Sequence, residues 1–205
     1  MMPSVNALRR PALVLVLLLA GWQLWGAAWI HTKAALAQYL LVRAWDSAQR
    51  EGEAQKPWPW ADTWPVARLQ LPTLEADYRV LAGTSGQALA FGPGLHEVFD
   101  GAGGRWAVIA GHRDTHFQFL QSVQPGMALW LEDMAGSVRA FQVASVRVVD
   151  SRVETLQPPS AGPAGLLLVT CYPFSDWRPN GPLRYVVEAL PSPAVHPLAR
   201  GSMDG

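Results

Sequence analysis

The chain has 205 residues, half of them apolar, and its 16 basic and 16 acidic side chains leave a formal net charge of zero. That length holds one membrane anchor and one domain of ordinary size. The balanced charge gives no footprint for nucleic acid or for an acidic polymer, so neither is an expected partner.

Met1 to Pro11 carries Arg9 and Arg10, and Ala12 to Ile30 is almost wholly apolar, with Gln23 the clear exception. About 20 helical residues cover the ~30 Å hydrocarbon thickness of a bilayer. Residues 12–30 therefore read as a transmembrane anchor. A cleaved signal peptide is the rival reading, but its apolar region is usually shorter, roughly 7–15 residues. No clear small-x-small site closes this one before Trp22. Arg9 and Arg10 assign residues 1–11 to the cytoplasm under the positive-inside rule. Trp22, Trp25 and Trp29 crowd the far end, as an interfacial belt would.

Residues 31–56 read as a juxtamembrane helix and linker. Leu36, Leu40, Leu41 and Trp45 form one apolar stripe at helical spacing. In Lys56-Pro57-Trp58-Pro59-Trp60-Ala61-Asp62-Thr63-Trp64-Pro65, three prolines forbid a long helix and favour an extended lead-in whose tryptophans pack on the domain.

Short strands follow, separated by glycine and proline. They are expected over Val66–Leu71, Tyr78–Leu81, Trp106–Ala110, Met127–Leu131, Val138–Val149, Leu166–Cys171 and Arg184–Ala189. Gln87–Phe91 reads as a helical turn and Thr115–Val123 as a short helix. The pattern argues an all-β fold, a barrel or a sandwich. Residues 191–205, rich in Pro, Ser and Gly, read as a flexible tail.

Leu166-Leu167-Leu168-Val169-Thr170-Cys171 is the most informative stretch. A run this apolar reads as a strand buried on both faces, and Pro173 stops it near Cys171 because proline cannot donate to a ladder. Cys171 is the single cysteine. A free cysteine is often just a small buried hydrophobe. A lone Cys with a His encoded elsewhere is also the general pattern of a catalytic thiol. His112 ends one expected strand and Arg184 begins another. An imidazole can raise the thiolate fraction and return a proton to a leaving amine. A guanidinium offers a fixed charge and a fork of donors to an oxyanion or to substrate carbonyls. His112-x-x-x-His116 invites a zinc reading, but it lacks the glutamate of the zinc-protease motif and supplies too few ligands. No metal is expected. His116 and Thr170 remain candidates for touching substrate, Asp114 for orienting His112, and Arg178 is a lesser rival to Arg184.

Ala110-Gly111-His112-Arg113-Asp114, Val169-Thr170-Cys171-Tyr172-Pro173-Phe174 and Leu183-Arg184-Tyr185-Val186-Val187 resemble, in this order, the three signature segments of the sortases. The lead-in Lys56–Asp62 and the Thr-Cys-Tyr-Pro-Phe form resemble the sortases of Gram-negative bacteria, class GN. One departure is Leu167, where many sortases have the first threonine of Thr-x-x-Thr-Cys. The resemblance implies a closed β-barrel of about eight strands over residues 57–190, behind a single-pass inner-membrane anchor, with the barrel in the periplasm. It implies a transpeptidase without a cofactor, in which Cys171 attacks a backbone carbonyl in a C-terminal sorting signal of the Leu-Pro-x-Thr-Gly kind. His112 would then protonate the departing amine, Arg184 would hold the substrate or its oxyanion, and an amine acceptor of unknown identity would resolve the thioester.

Overall fold

The structure is a computed structural model that describes residues 5–101, 104–156, 164–176 and 181–193. The chain divides into two compact units, residues 1–39 and 40–205.

Helix α1 spans Val5–Glu51. In the first unit the large apolar residues Leu13 to Leu19, Trp22, Leu24, Trp25, Trp29 and Ile30 are exposed. The helix is long and apolar enough to cross a membrane. In the second unit its surface changes character. Leu41, Ala44, Trp45 and Ala48 are buried at the spacing of one helical face. Leu36, expected on the same stripe, is exposed. Gln49 donates to Glu132 at 2.6 Å, and Arg68 bridges Glu132 and Asp77. The hydrogen bond from Arg68 holds the Asp77 carboxyl below the usual carboxylate range. Gly52, at a φ of 73°, ends the helix in the left-handed conformation that glycine adopts without strain. Trp45 is 1% exposed. Trp45→Ala is expected to lower unfolding free energy by about 3–5 kcal/mol, read as a shifted denaturant midpoint of the purified protein.

Eight strands close a barrel: β1 Pro65–Leu71, β2 Ala76–Ala82, β3 Gly94–Gly101, β4 Gly104–Ala110, β5 Ala128–Asp133, β6 Val138–Asp150, β7 Gly165–Cys171 and β8 Leu183–Pro191. Their order around the barrel is β1-β2-β3-β4-β7-β8-β6-β5. The pairs β2/β3 and β4/β7 are parallel and the others antiparallel. Helix α2, Gly86–Phe91, is capped by Ser85, whose hydroxyl accepts from the Ala88 amide. The expected helix over Thr115–Val123 is instead an irregular turn followed by one 3-10 segment, Gln118–Ser122. Strand β3 was absent from the sequence expectation. Residues beyond 193 and Arg178 lie outside the described residues.

Strand β7 is buried along its length up to Cys171. Leu166 and Leu168 face the barrel core beside Ile109 and Val187. Leu167 and Val169 face an outer apolar layer with Trp106, Val108, Val149 and Val186. Gly165 is the ladder partner of Trp106, and a Cβ there would lie 2.4 Å from the indole ring. Its missing side chain lets the ring close the outer layer. The lead-in packs as expected in part. Trp58 meets Phe91 edge to face at 5.0 Å, and Thr63 donates to the Ala82 carbonyl at 2.8 Å, but Trp60 is exposed.

Candidate active site

Two parallel strands, β4 and β7, run side by side, and β7 continues two residues past their last pair. Ala110 is paired with Val169, and each strand ends in a residue with chemistry two positions on: His112 after β4, Cys171 at the tip of β7. At their last pair the strands are about 4.8 Å apart. On the other side of β7, Arg184 of β8 lies directly opposite Cys171 in the antiparallel ladder. Directly opposed residues project from the same face, with Cβ atoms about 4.5–5.5 Å apart. The register thus puts sulfur and guanidinium side by side. All three side chains line one cavity of about 720 Å³. Cys171 is half-buried and His112 exposed, so the thiol opens on the cleft and not on the core.

The cleft floor is apolar, built by Val108, Ala110 and Val169 from the outer face of β4 and β7. One wall is Thr84, Leu89 and His96, and the other Ser151, Glu154, Thr155 and Leu156. Glu154 is the one carboxylate among these lining residues, and it accepts a hydrogen bond from Arg147. Arg184 is the one fixed positive charge among the same residues.

Backbone stitching fixes His112 against Cys171. The Gly111 amide donates to the Val169 carbonyl at 3.1 Å, and the Thr170 hydroxyl donates to the Gly111 carbonyl at 2.7 Å. The Phe117 amide donates to the His112 carbonyl at 2.9 Å. A Cβ on Gly111 would lie 2.7 Å from the Phe117 ring, so only glycine fits between that ring and β7. Arg113, 8% exposed, donates to the Asp176 carbonyl and ties the histidine loop to the segment after Cys171. Arg184 donates through Nη1 to the Gly181 and Leu183 carbonyls.

Three expectations shift under this geometry. Thr170 is 2% exposed, and its hydroxyl is spent on Gly111. It holds the site's frame, with only its edge at the cleft. His116 is not a lining residue. Its ring packs edge-on to Tyr78 at 5.8 Å, and burial pushes its imidazole below the usual range, against the carbonyl of Ala90, which favours the charged form. Asp114 is exposed and lies outside the lining. His96, which is not among the expected site residues, lines the cleft.

Comparison with known proteins agrees with this architecture. The family model for the sortase domain matches residues 69–192. The chain belongs to the sortase family. It is 28% identical over 121 residues to sortase D of Bacillus subtilis (strain 168), covering 58% of the chain and 60% of that relative. Sortase A from Corynebacterium diphtheriae superposes with a TM-score of 0.54 at 23% identity, over 67% of this chain and 65% of that one. Its lid mutant gives 0.56 at 20% identity, over 85% and 99%. Sortase C1 of Streptococcus agalactiae gives 0.54 at 21%, over 66% and 71%. The chain thus spans about three fifths of the length of the Bacillus relative.

The role of Thr170 is testable. Thr170→Val keeps the shape and removes the donor to Gly111, leaving a buried carbonyl short of a partner, a loss of about 1–3 kcal/mol. Turnover is expected to fall mainly in kcat, with KM little changed, and Thr170→Ser to restore most of it. A loss confined to KM would return Thr170 to the substrate.

Proposed function

We propose that the chain is a membrane-anchored cysteine transpeptidase acting on proteins that carry a C-terminal sorting signal. The observation that carries this is the single cleft lined together by Cys171, His112 and Arg184. The Cys171 thiolate attacks the backbone carbonyl of the signal, and the resulting oxyanion is held by donors of Arg184. His112, as imidazolium, gives its proton to the departing amine as the C–N bond breaks. A thioester remains on Cys171. An incoming amine attacks it, His112 takes the proton from that amine, and the new amide bond forms as the C–S bond breaks, leaving Cys171 as thiolate beside the imidazolium.

The signal is of the Leu-Pro-x-Thr-Gly kind, and the apolar floor of Val108, Ala110 and Val169 suits an extended, largely apolar peptide. Residues 12–30 anchor the chain as a single pass in the inner membrane, with residues 1–11 cytoplasmic, 31–56 as juxtamembrane connection and the barrel of residues 57–190 in the periplasm. The exposed apolar surface of α1 from Leu13 to Ile30 supports the anchor. The Lys56–Asp62 lead-in and the Thr-Cys-Tyr-Pro-Phe form support membership of class GN.

The test uses full-length protein in detergent with a Leu-Pro-x-Thr-Gly peptide bearing a mass label. A thioester on Cys171 and its resolution by added triglycine in preference to water support transfer. Resolution by water alone makes the chain a hydrolase, and no adduct under any condition overturns the catalytic reading.

A further inference from the structure

Strand β3 carries a bulge. Leu95 pairs with Ile109 and Glu97 pairs with the next residue, Val108, so His96 is the extra residue between them. A bulge breaks the alternation of faces and re-aims the extra side chain. Here the re-aimed side chain is an imidazole that lines the same cleft as Cys171. Its Nδ1 lies 3.1 Å from the Thr84 hydroxyl, and Thr84 lines the cleft as well. That bond fixes the ring plane. No group among the described residues bonds Nε2, and the ring is exposed.

The distance to the thiol follows from the ladder. His96 sits two strands from β7, level with the Leu167–Leu168 step through Val108 and Ile109. At about 4.8 Å per strand and about 3.3 Å per residue, its backbone lies on the order of 15 Å from that of Cys171. An extended peptide covers the same span in about four residue steps, counted from the scissile carbonyl. Val108, Ala110 and Val169 extend the cleft floor from Cys171 back toward His96, and the acyl side of the proposed signal runs over this floor, with the leaving residues on the His112 side. The side chain that arrives at His96 is then the fifth before the scissile bond. In a Leu-Pro-x-Thr-Gly signal this is the residue just ahead of the leucine.

We infer that His96, held by Thr84, is a specificity-determining residue that reads a hydrogen-bond-accepting side chain, amide or carboxylate, at that fifth position. The inference rests on the transpeptidase reading above and adds a subsite outside the sorting core. Nε2 donates its proton when Thr84 donates to Nδ1, and both nitrogens donate when the ring is charged. A leucine of similar size offers nothing to this donor.

The experiment measures the rate of thioester formation on Cys171 in the full-length protein, with two peptides identical in the core and differing only in Gln or Leu before it. The wild type is expected to favour the Gln peptide about fivefold, the order one net hydrogen bond sustains. His96→Leu is expected to abolish or reverse the preference. Thr84→Val, which frees the ring, is expected to reduce it. Thermal melts confirm that each variant is folded. Equal preference in wild type and His96→Leu overturns the subsite while leaving the enzyme reading intact. Absence of any thioester with either peptide overturns both.

Discussion

Cys171→Ala is expected to eliminate thioester formation, lowering the rate of peptide cleavage by about 10⁴-fold or more, the scale seen when a nucleophile is removed. The fold should survive. Cys171 is half-buried at the tip of β7, and losing one sulfur there leaves the apolar residues behind it untouched. The melting temperature therefore separates this effect from unfolding. Mass spectrometry of the labelled adduct gives the direct reading. Cleavage that persists in the alanine variant would assign the chemistry elsewhere and reduce the cysteine to packing.

Arg184→Ala is the second large effect, expected at about 10²–10³-fold in kcat/KM, as for loss of one oxyanion donor. Arg184→Lys is expected to rescue little. Nη1 is already committed to the Gly181 and Leu183 carbonyls, so in the proposed role the guanidinium serves the protein with one arm and the substrate with the other. A lysine has one compact charge and cannot do both. Losing the arginine also removes packing along its stem, so folding has to be followed in both variants. Turnover close to wild type in the lysine variant would show that charge alone suffices and would remove the forked role.

Much of this site was legible because its residues mark strand ends. Pro173 placed the end of the Leu166–Cys171 run, and β7 does stop at Cys171. Its unbroken apolar character forecast burial on two faces, and both faces are covered. What remained hidden depended on pairing. Nothing in the order of residues says that Arg184 falls opposite Cys171, since register is a property of two strands together. The same holds for Thr170, whose hydroxyl reads as a free polar group until Gly111 is placed against it. Strand β3 escaped notice for a local reason. Its bulge puts Leu95, His96 and Glu97 out of the period-two pattern on which strands are recognised. His96 has no partner pattern along the chain, so nothing in its neighbours marks it as a cleft residue. The helical pattern expected to continue through residues 31–51 is present, in a helix that ends at Glu51.

The covering of β7 on both faces has a consequence for motion. A strand flanked by β4 and β8 and sealed by two apolar layers has no local route to opening. Its amides should exchange with deuterium only when the whole barrel comes apart, at the slow end of the range for this protein. In the proposed reaction the Cys171 thiol is therefore carried on a strand sealed on both faces, and any adjustment to different peptides is expected in the exposed histidine turn and the cleft walls rather than at the sulfur.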